Sequence, residues 1–195
     1  MLKAPPPLLL ASSSRYRAEL LARLRLPFAS DSPDIDEQPA AGEAPAALAL
    51  RLARTKAAAL RPRHPQAWII GSDQVAVTDD RVLGKPGHRA RAIEQLMLAS
   101  GREVRFETAV VLSTPDGRFF EAVDSTHVRF RELTTDQIAR YVDAEQPFDC
   151  AGSFKCEGYG ITLFEAIKSR DPTALIGLPL IALCGLLRDA GYTLP

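Results

Sequence analysis

Leu8-Leu9-Leu10-Ala11-Ser12-Ser13-Ser14-Arg15-Tyr16-Arg17 is the stretch from which the rest of the chain is read. Four apolar residues, bounded by Pro5-Pro6-Pro7 and by serines, have the length and flanks of a buried strand. The serines then open a helix from about Tyr16 to Leu26, with Leu20, Leu21 and Leu24 as its apolar stripe and Pro27 as its stop. A strand that enters a helix through Ser and Arg also has the parts of a phosphate cradle: free backbone N–H groups, hydroxyl donors and two guanidiniums. On its own, a serine before a helix is a cap.

Working outward, a second strand over Phe28 to Ser30 precedes an acidic loop, and residues 43–60 read as an Ala- and Leu-rich helix with Pro45 near its first turn. Ala67 to Ile70 and Val75 to Val77 read as strand around a loop, followed by a helix from Arg89 to Ala99. Val104 to Leu112 and Phe119 to Phe130, joined by Thr114-Pro115-Asp116-Gly117, form the clearest hairpin. Thr134 and Gln137 make a capping box for a helix through Ala144. A Gly-rich loop covers 151–160, and a last helix runs from about Leu178 to Ala190 with Pro179 in its first turn. Helices and strands alternate with one antiparallel hairpin inserted, which predicts an α/β fold with a mixed sheet.

At 195 residues the expectation is one domain with two lobes. With 46% hydrophobic and 25% charged residues, the chain is neither disordered, collagenous nor membrane-spanning. Lys+Arg and Asp+Glu both number 24, so no whole-protein field attracts nucleic acid or an acidic membrane. The charge is segregated, however. Residues 1–30 hold Lys3, Arg15, Arg17, Arg23 and Arg25 against Glu19; residues 31–50 hold Asp31, Asp34, Asp36, Glu37 and Glu43 alone; residues 51–63 hold Arg51, Arg54, Lys56, Arg61 and Arg63. Such blocks are either solvated faces or a site where acid and base converge on a metal and a polyanion. Cys150, Cys156 and Cys184 lack zinc spacing and read as reduced thiols of a cytoplasmic protein. The apolar run near the N-terminus is too broken by prolines and Arg15 for a signal peptide.

Four further segments carry candidate chemistry. Clustered carboxylates in Asp34-Ile35-Asp36-Glu37 suit a hard cation such as Mg²⁺. Asp73, in Gly71-Ser72-Asp73-Gln74, stands at the end of an apolar run with a glycine leaving room for a ligand; it could hold a metal or take a proton from water. Gly84-Lys85-Pro86 is not a P-loop, yet its lysine on a rigid turn could reach a phosphate. The glycines of Cys150 to Gly160, with Lys155 and Glu157, suggest close backbone approach to a ligand. His64 and His88 read as exposed loop residues and His127 as a strand residue, and no Ser-His-Asp arrangement is visible.

In this order, the five segments resemble the Maf family of nucleoside triphosphate pyrophosphatases from Leu8 to about Gly191. The family's Leu-Ala-Ser-x-Ser-Pro-Arg-Arg opening is matched by Leu10 to Arg17, with Arg15 for Pro and Tyr16 for the first Arg. Asp36-Glu37, Lys56-Ala57 and Gly84-Lys85-Pro86 match, whereas the usual Ala-Asp-Thr becomes Ser72-Asp73-Gln74. Tyr16, Gln74, the segment Gly152 to Gly160 and the run Ile176-Gly177-Leu178-Pro179-Leu180 look like the YceF-type subgroup, which is associated with 7-methylguanosine triphosphate.

The resemblance implies an elongated mixed sheet flanked by helices, related to the inosine triphosphatase type, as a single domain with two lobes around a central cleft. It implies a cytoplasmic homodimer with a divalent cation, Mg²⁺ or Mn²⁺, acting on a nucleotide and on neither nucleic acid nor membrane. Glu37 and Asp73 would hold the cation, or Asp73 would act as proton acceptor for the attacking water. Lys56, Lys85, Lys155 and Arg17 would neutralise phosphate charge, and Ser12 and Ser14 would bond phosphate oxygens. Tyr16 could stack on the cationic methylated base and Glu157 accept from its N1–H and N2–H₂ edge, with Gln74 adding a polar contact. Alternatives are a pyrophosphatase for other triphosphates and a nucleotide-binding regulator of cell division.

Overall fold

The computed structural model describes residues 6–79 and 81–194, so Lys3 and Pro5 of the N-terminal reading lie outside the described residues. Its centre is a seven-stranded mixed sheet in the order β2-β1-β3-β5-β6-β7, with β4 beside β3. β1 (Leu8–Ala11) runs parallel to β2 (Phe28–Asp31) on one side and to β3 (Trp68–Thr78) on the other. β4 (Arg81–Leu83) is antiparallel to β3. β5 (Glu103–Ser113) and β6 (Phe119–Phe130) form the expected hairpin, and β7 (Phe164–Lys168) closes the sheet antiparallel to β6. The helices are α1 (Arg15–Ala22), α2 (Pro45–Leu60), α3 (Arg89–Ala99), α4 (Thr135–Glu145) and α5 (Leu180–Asp189). None of the described helices is long and apolar enough to cross a membrane.

The packing divides into two compact units. One holds the described residues up to Asp73, Thr108–Asp124 and those from Asp171; the other holds Gln74–Glu107 and Ser125–Arg170. In the first unit β1 is buried on both faces, which is why its sequence is uninterrupted apolar rather than alternating. Leu8 and Leu10 pack with Leu20 and Leu21 of α1 and Leu183 and Leu187 of α5. Leu9 and Ala11 pack with Ala57 and Leu60 of α2 and Ile69 of β3. In the second unit Phe106, Phe130, Phe154 and Phe164 meet edge to face, with centroids 4.8–5.5 Å apart. Thr134 and Gln137 cap α4 reciprocally, as their spacing predicts.

Several boundaries differ from the sequence reading. The two short strands expected around a loop at 71–74 are one eleven-residue strand, β3. Polar residues fit inside it because each is satisfied: Ser72 Oγ donates to the Ala109 carbonyl of β5, and Asp73 pairs with Lys56. α1 stops at Ala22, and Arg25 is left-handed, although Leu24 and Leu26 still pack on the core. α5 starts at Leu180, with Pro179 as its N-cap. The Gly-rich segment contains two 3₁₀ turns, Ala151–Ser153 and Tyr159–Leu163. β7 gave no strand signal because it is a mostly exposed edge strand without an apolar run.

Gly71 sets the spacing between β3 and α2. A Cβ there would lie 2.1 Å from the Ala53 carbonyl oxygen and 3.2 Å from Ala57 Cβ. The space that the sequence reading left for a ligand is therefore filled by the helix that carries Lys56. Gly71→Ala is expected to lose about 1–3 kcal/mol or more by overpacking, read as a lower urea midpoint.

Candidate active site

Seven expected site residues lie in the first unit, Tyr16 on α1 among them. Ser12 and Ser14 stand in the β1–α1 turn, Arg17 on α1, Glu37 in the acidic loop, Lys56 on α2 and Asp73 on β3. Lys56 is the centre of this group. Its Nζ is 2.6 Å from Asp73 Oδ1 and 2.7 Å from Glu37 Oε1. Lys56 and Asp73 are both only 7% exposed, whereas the Glu37 side chain reaches in from solvent. Asp73 thus sits within β3 rather than at a strand end, and its counter-charge is a buried lysine of the same chain.

Arg17 borders this group. Its Nε donates to the Gly177 carbonyl at 2.9 Å and its Nη1 to Ser12 Oγ at 3.4 Å. Burial pushes the guanidinium down from its ordinary value, and the Asp73 and Glu37 carboxylates pull it back up. Arginine's ordinary value is high enough that the group stays charged. Ser14 is the N-cap of α1, accepting from Arg17 N at 3.4 Å, and Ser12 Oγ accepts from Ser14 N at 3.1 Å. Capping and cradle are thus the same structure: the two oxygens accept inward, and hydroxyl protons can turn elsewhere. Arg15 donates to Tyr16 Oη at 2.9 Å and lies 4.8 Å over the Tyr16 ring, so a base would stack on the other face of that ring or displace Arg15.

The segregated charge blocks turn out to face one another. Arg51 grips Glu43 through two bonds of 2.7 and 2.8 Å and donates to the Gln38 carbonyl at 3.0 Å. Glu43 in turn accepts from Ala40 N at 3.0 Å, and Asp36 Oδ1 from Gln38 N at 3.0 Å. Asp31 takes Arg63 at 3.2 Å and His64 at 2.8 Å, so His64 is a half-buried partner rather than an exposed loop residue. The acidic loop is therefore tied along α2, and Glu37 meets Lys56 from a fixed base. The Arg51 hydrogen bonds hold the Glu43 carboxyl down at about 2.

Gln74, Lys85, Lys155 and Glu157 belong to the second unit. Gln74 is half-buried on β3, and Lys85 and Glu157 are exposed. Gln95 of α3 fixes two of their segments: its Nε2 donates to the Gly84 carbonyl at 3.1 Å, and its Oε1 accepts from Ser153 Oγ at 2.6 Å. Lys155 Nζ donates to the Glu145 carbonyl at 3.0 Å and lies 3.3 Å from Glu145 Oε1, while Glu145 Oε2 accepts from Tyr159 N at 2.9 Å. A Cβ at Gly158 would meet Glu145 Oε2 at 3.0 Å, and one at Gly160 the Lys155 carbonyl at 2.4 Å. These two glycines are explained by packing within the loop, not by the ligand approach read from the sequence. The Cys156 thiol, pushed up to about 12 first by burial and then by Glu157, is no nucleophile. None of the three cysteines is in a disulfide.

Among the described residues no three His, Cys, Asp or Glu side chains converge as a metal cluster. Glu37 and Asp73 nevertheless present carboxylate oxygens to one cation, the Lys56 ammonium. Two carboxylates completed by substrate phosphates and water are a donor set that fits Mg²⁺. The sequence singled out every residue of this group but not the partners that hold it, Arg51 and Ser72; in the second unit it likewise missed Gln95 and Glu145, which hold the segments of Lys85 and Lys155. Only the alternating charge blocks pointed to the Arg51–Glu43 clamp.

A mixed α/β sheet thus sets two carboxylates, a buried lysine and a Ser-Arg helix start in one unit. The chain belongs to the Maf family: the family described as Maf-like protein matches residues 7–190. It is 61% identical over 190 residues to a 7-methyl-GTP pyrophosphatase of Xanthomonas oryzae pv. oryzae (strain MAFF 311018), covering 97% of this chain and 100% of that one. It is 56% identical over 190 residues to a protein of the same name from Cupriavidus metallidurans, covering 96% and 94%. The crystal structure of a nucleoside-triphosphatase / dITP/XTP pyrophosphatase from Mycobacterium abscessus aligns over 94% of each chain at 15% identity and a TM-score of 0.44.

Two measurements test this arrangement. Lys56→Met strands a buried carboxylate and is expected to lose about 3–5 kcal/mol in urea unfolding at pH 7, part of which Asp73→Asn in the same chain restores. Because Glu43 is held low when folded, its clamp contributes fully above the ordinary carboxylate range and is lost as pH falls through about 2. A ¹³C titration is expected to place its midpoint near 2, and Arg51→Ala to return it toward about 4.3.

Proposed function

We propose that the protein hydrolyses 7-methyl-GTP between its α- and β-phosphates, releasing 7-methyl-GMP and pyrophosphate, as a house-cleaning enzyme against modified nucleotides. The observation that carries this reading is the Lys56 ammonium held between Asp73 and Glu37, with Arg17 and the Ser12 and Ser14 hydroxyls in the same unit. Arg17 and the two hydroxyls bind phosphate oxygens as charge-assisted and neutral donors. Asp73 Oδ1 is occupied by Lys56, so Oδ2 orients the attacking water and takes its proton. Water adds at the α-phosphorus, and the bond to the bridging oxygen breaks with pyrophosphate leaving. Lys56, Lys85 and Lys155 are assigned to the charge on the phosphates and the leaving group. In the alternative assignment Glu37 and Asp73 would together hold a divalent cation, Mg²⁺ or Mn²⁺, and Asp73 would then be its ligand instead of the proton acceptor. When bound, the cation supplies charge neutralisation at the phosphates.

The name shared by the relatives supports the base. A 7-methylated guanine carries positive charge, for which Tyr16 offers a ring face, Glu157 a carboxylate and Gln74 a polar contact. Family membership also supports a cytoplasmic homodimer as part of the same proposal.

The purified protein with Mg²⁺ and a panel of triphosphates, with pyrophosphate and orthophosphate read separately, tests the proposal. Pyrophosphate and a preference for 7-methyl-GTP over GTP are expected. Asp73→Asn is expected to cut turnover about 100- to 10,000-fold in a folded protein. Tyr16→Ala with Glu157→Gln is expected to shrink the preference, and a preference that survives both changes would sink the base assignment. No turnover with any divalent metal would overturn the enzymatic reading in favour of a nucleotide-binding regulator.

A further inference from the structure

We infer that Ser72 is a positioning residue that sets the Arg17 guanidinium by fixing the Gly177 carbonyl between them. This rests on the proposed role of Arg17 at the triphosphate. Ser72 is fully buried in β3, and its Oγ lies 2.8 Å from the Ala109 carbonyl and 3.0 Å from the Gly177 carbonyl. The Gly177 oxygen accepts a second bond, from Arg17 Nε at 2.9 Å, so both its lone pairs are used. Two carbonyl oxygens share one hydroxyl proton, which makes Ser72 the link between the strand that carries Asp73 and the loop that holds Arg17.

The loop is built to hold that carbonyl still. Gly177 has φ +127°, a conformation that L side chains rarely adopt. Its N–H donates to the carbonyls of Thr173 and Ala174, and the Ala174 carbonyl also accepts from Thr108 Oγ1 at 3.0 Å. Buried Asp171 accepts from Thr173 N at 2.9 Å, Thr173 Oγ1 at 2.6 Å and Ile181 N at 2.6 Å. Thr173 Oγ1 accepts from Leu180 N at 2.9 Å, which closes the loop onto α5. With Nε committed to Gly177, the Arg17 fork is oriented, and its Nη1 reaches Ser12. A free arginine would instead have to order its side chain on binding, at a cost in affinity. The run Ile176-Gly177-Leu178-Pro179-Leu180 therefore serves the phosphate site through one backbone oxygen.

A double-mutant cycle with 7-methyl-GTP tests this, alongside the ¹H–¹⁵N signal of Arg17 Nε in protein without nucleotide. Ser72→Ala is expected to lower kcat/KM about fivefold, mainly through KM, and to speed solvent exchange of the Arg17 Nε–H about tenfold. In an Arg17→Ala chain the same change is expected to cost less than about twofold, because the group it positions is gone. Equal losses in both backgrounds, or an unchanged Nε–H signal, would overturn the inference while leaving the pyrophosphatase reading intact. An Arg17→Ala chain with unaltered kinetics would overturn instead the assignment of Arg17 to the triphosphate. Thermal unfolding of each variant separates these results from loss of fold.

Discussion

Lys56 and Asp73 are two opposite charges held almost entirely out of water, and the first unit is arranged around the need to keep them together. An unpaired buried charge costs several kcal/mol, so neither side chain tolerates the loss of the other. Their 2.6 Å contact requires β3 and α2 to approach closely. Gly71, two residues before Asp73, and the small residues Ala53 and Ala57, flanking Lys56 on the helix, make that approach possible. The same face of α2 packs on Leu9 and Ala11 of β1, so the ion pair and the apolar core are one piece of construction.

The remaining charges are arranged in relation to that pair. Glu37 supplies the second carboxylate from a loop that would otherwise move freely in solvent. The Arg51–Glu43 clamp and the Asp36 turn restrain it, so a surface acidic run presents Glu37 to Lys56 from a fixed base. Arg17 adds a second cation whose partners are a carbonyl and a hydroxyl rather than a carboxylate. Among the described residues no carboxylate pairs with it directly, and Asp73 and Glu37 act on it only through their charge. A site that presents an arginine and serine donors beside two carboxylates suits a substrate that is a polyanion and a reaction that needs a base.

The second unit solves a different problem, that of fixing a Gly-rich segment. Four phenylalanines pack together in it, and Gln95 holds the Ser153 hydroxyl and Glu145 the Tyr159 N–H on either side of Lys155 and Glu157. Glu145 holds the Lys155 ammonium and the Tyr159 N–H with one carboxylate, which ties the loop to α4. Such ordering suits the role proposed for Glu157, since a pocket that must assemble on binding loses affinity to its own ordering.

The amino-acid sequence by itself determined most of the elements, because local signals coincide there. The doubly buried run Leu8 to Ala11, the Thr134–Gln137 capping box and the turn at Thr114 to Gly117 each carry their structure within a few residues. It also singled out the candidate site residues, since Ser, Arg, Lys and carboxylate motifs are short and local. What it could not contain is which partner each polar group finds across the fold. Ser72 and Asp73 looked like a loop because polar residues interrupt an apolar run, and only the Ala109 carbonyl and Lys56, 37 and 17 residues away in sequence, make them strand. The glycines at 71, 158 and 160 looked like room for a ligand, and only the packed chain shows that helix, carboxylate and backbone fill it. Hydrogen bonds and close contacts between distant segments depend on tertiary distance, which local propensity does not encode, and that distance decided how the site is held.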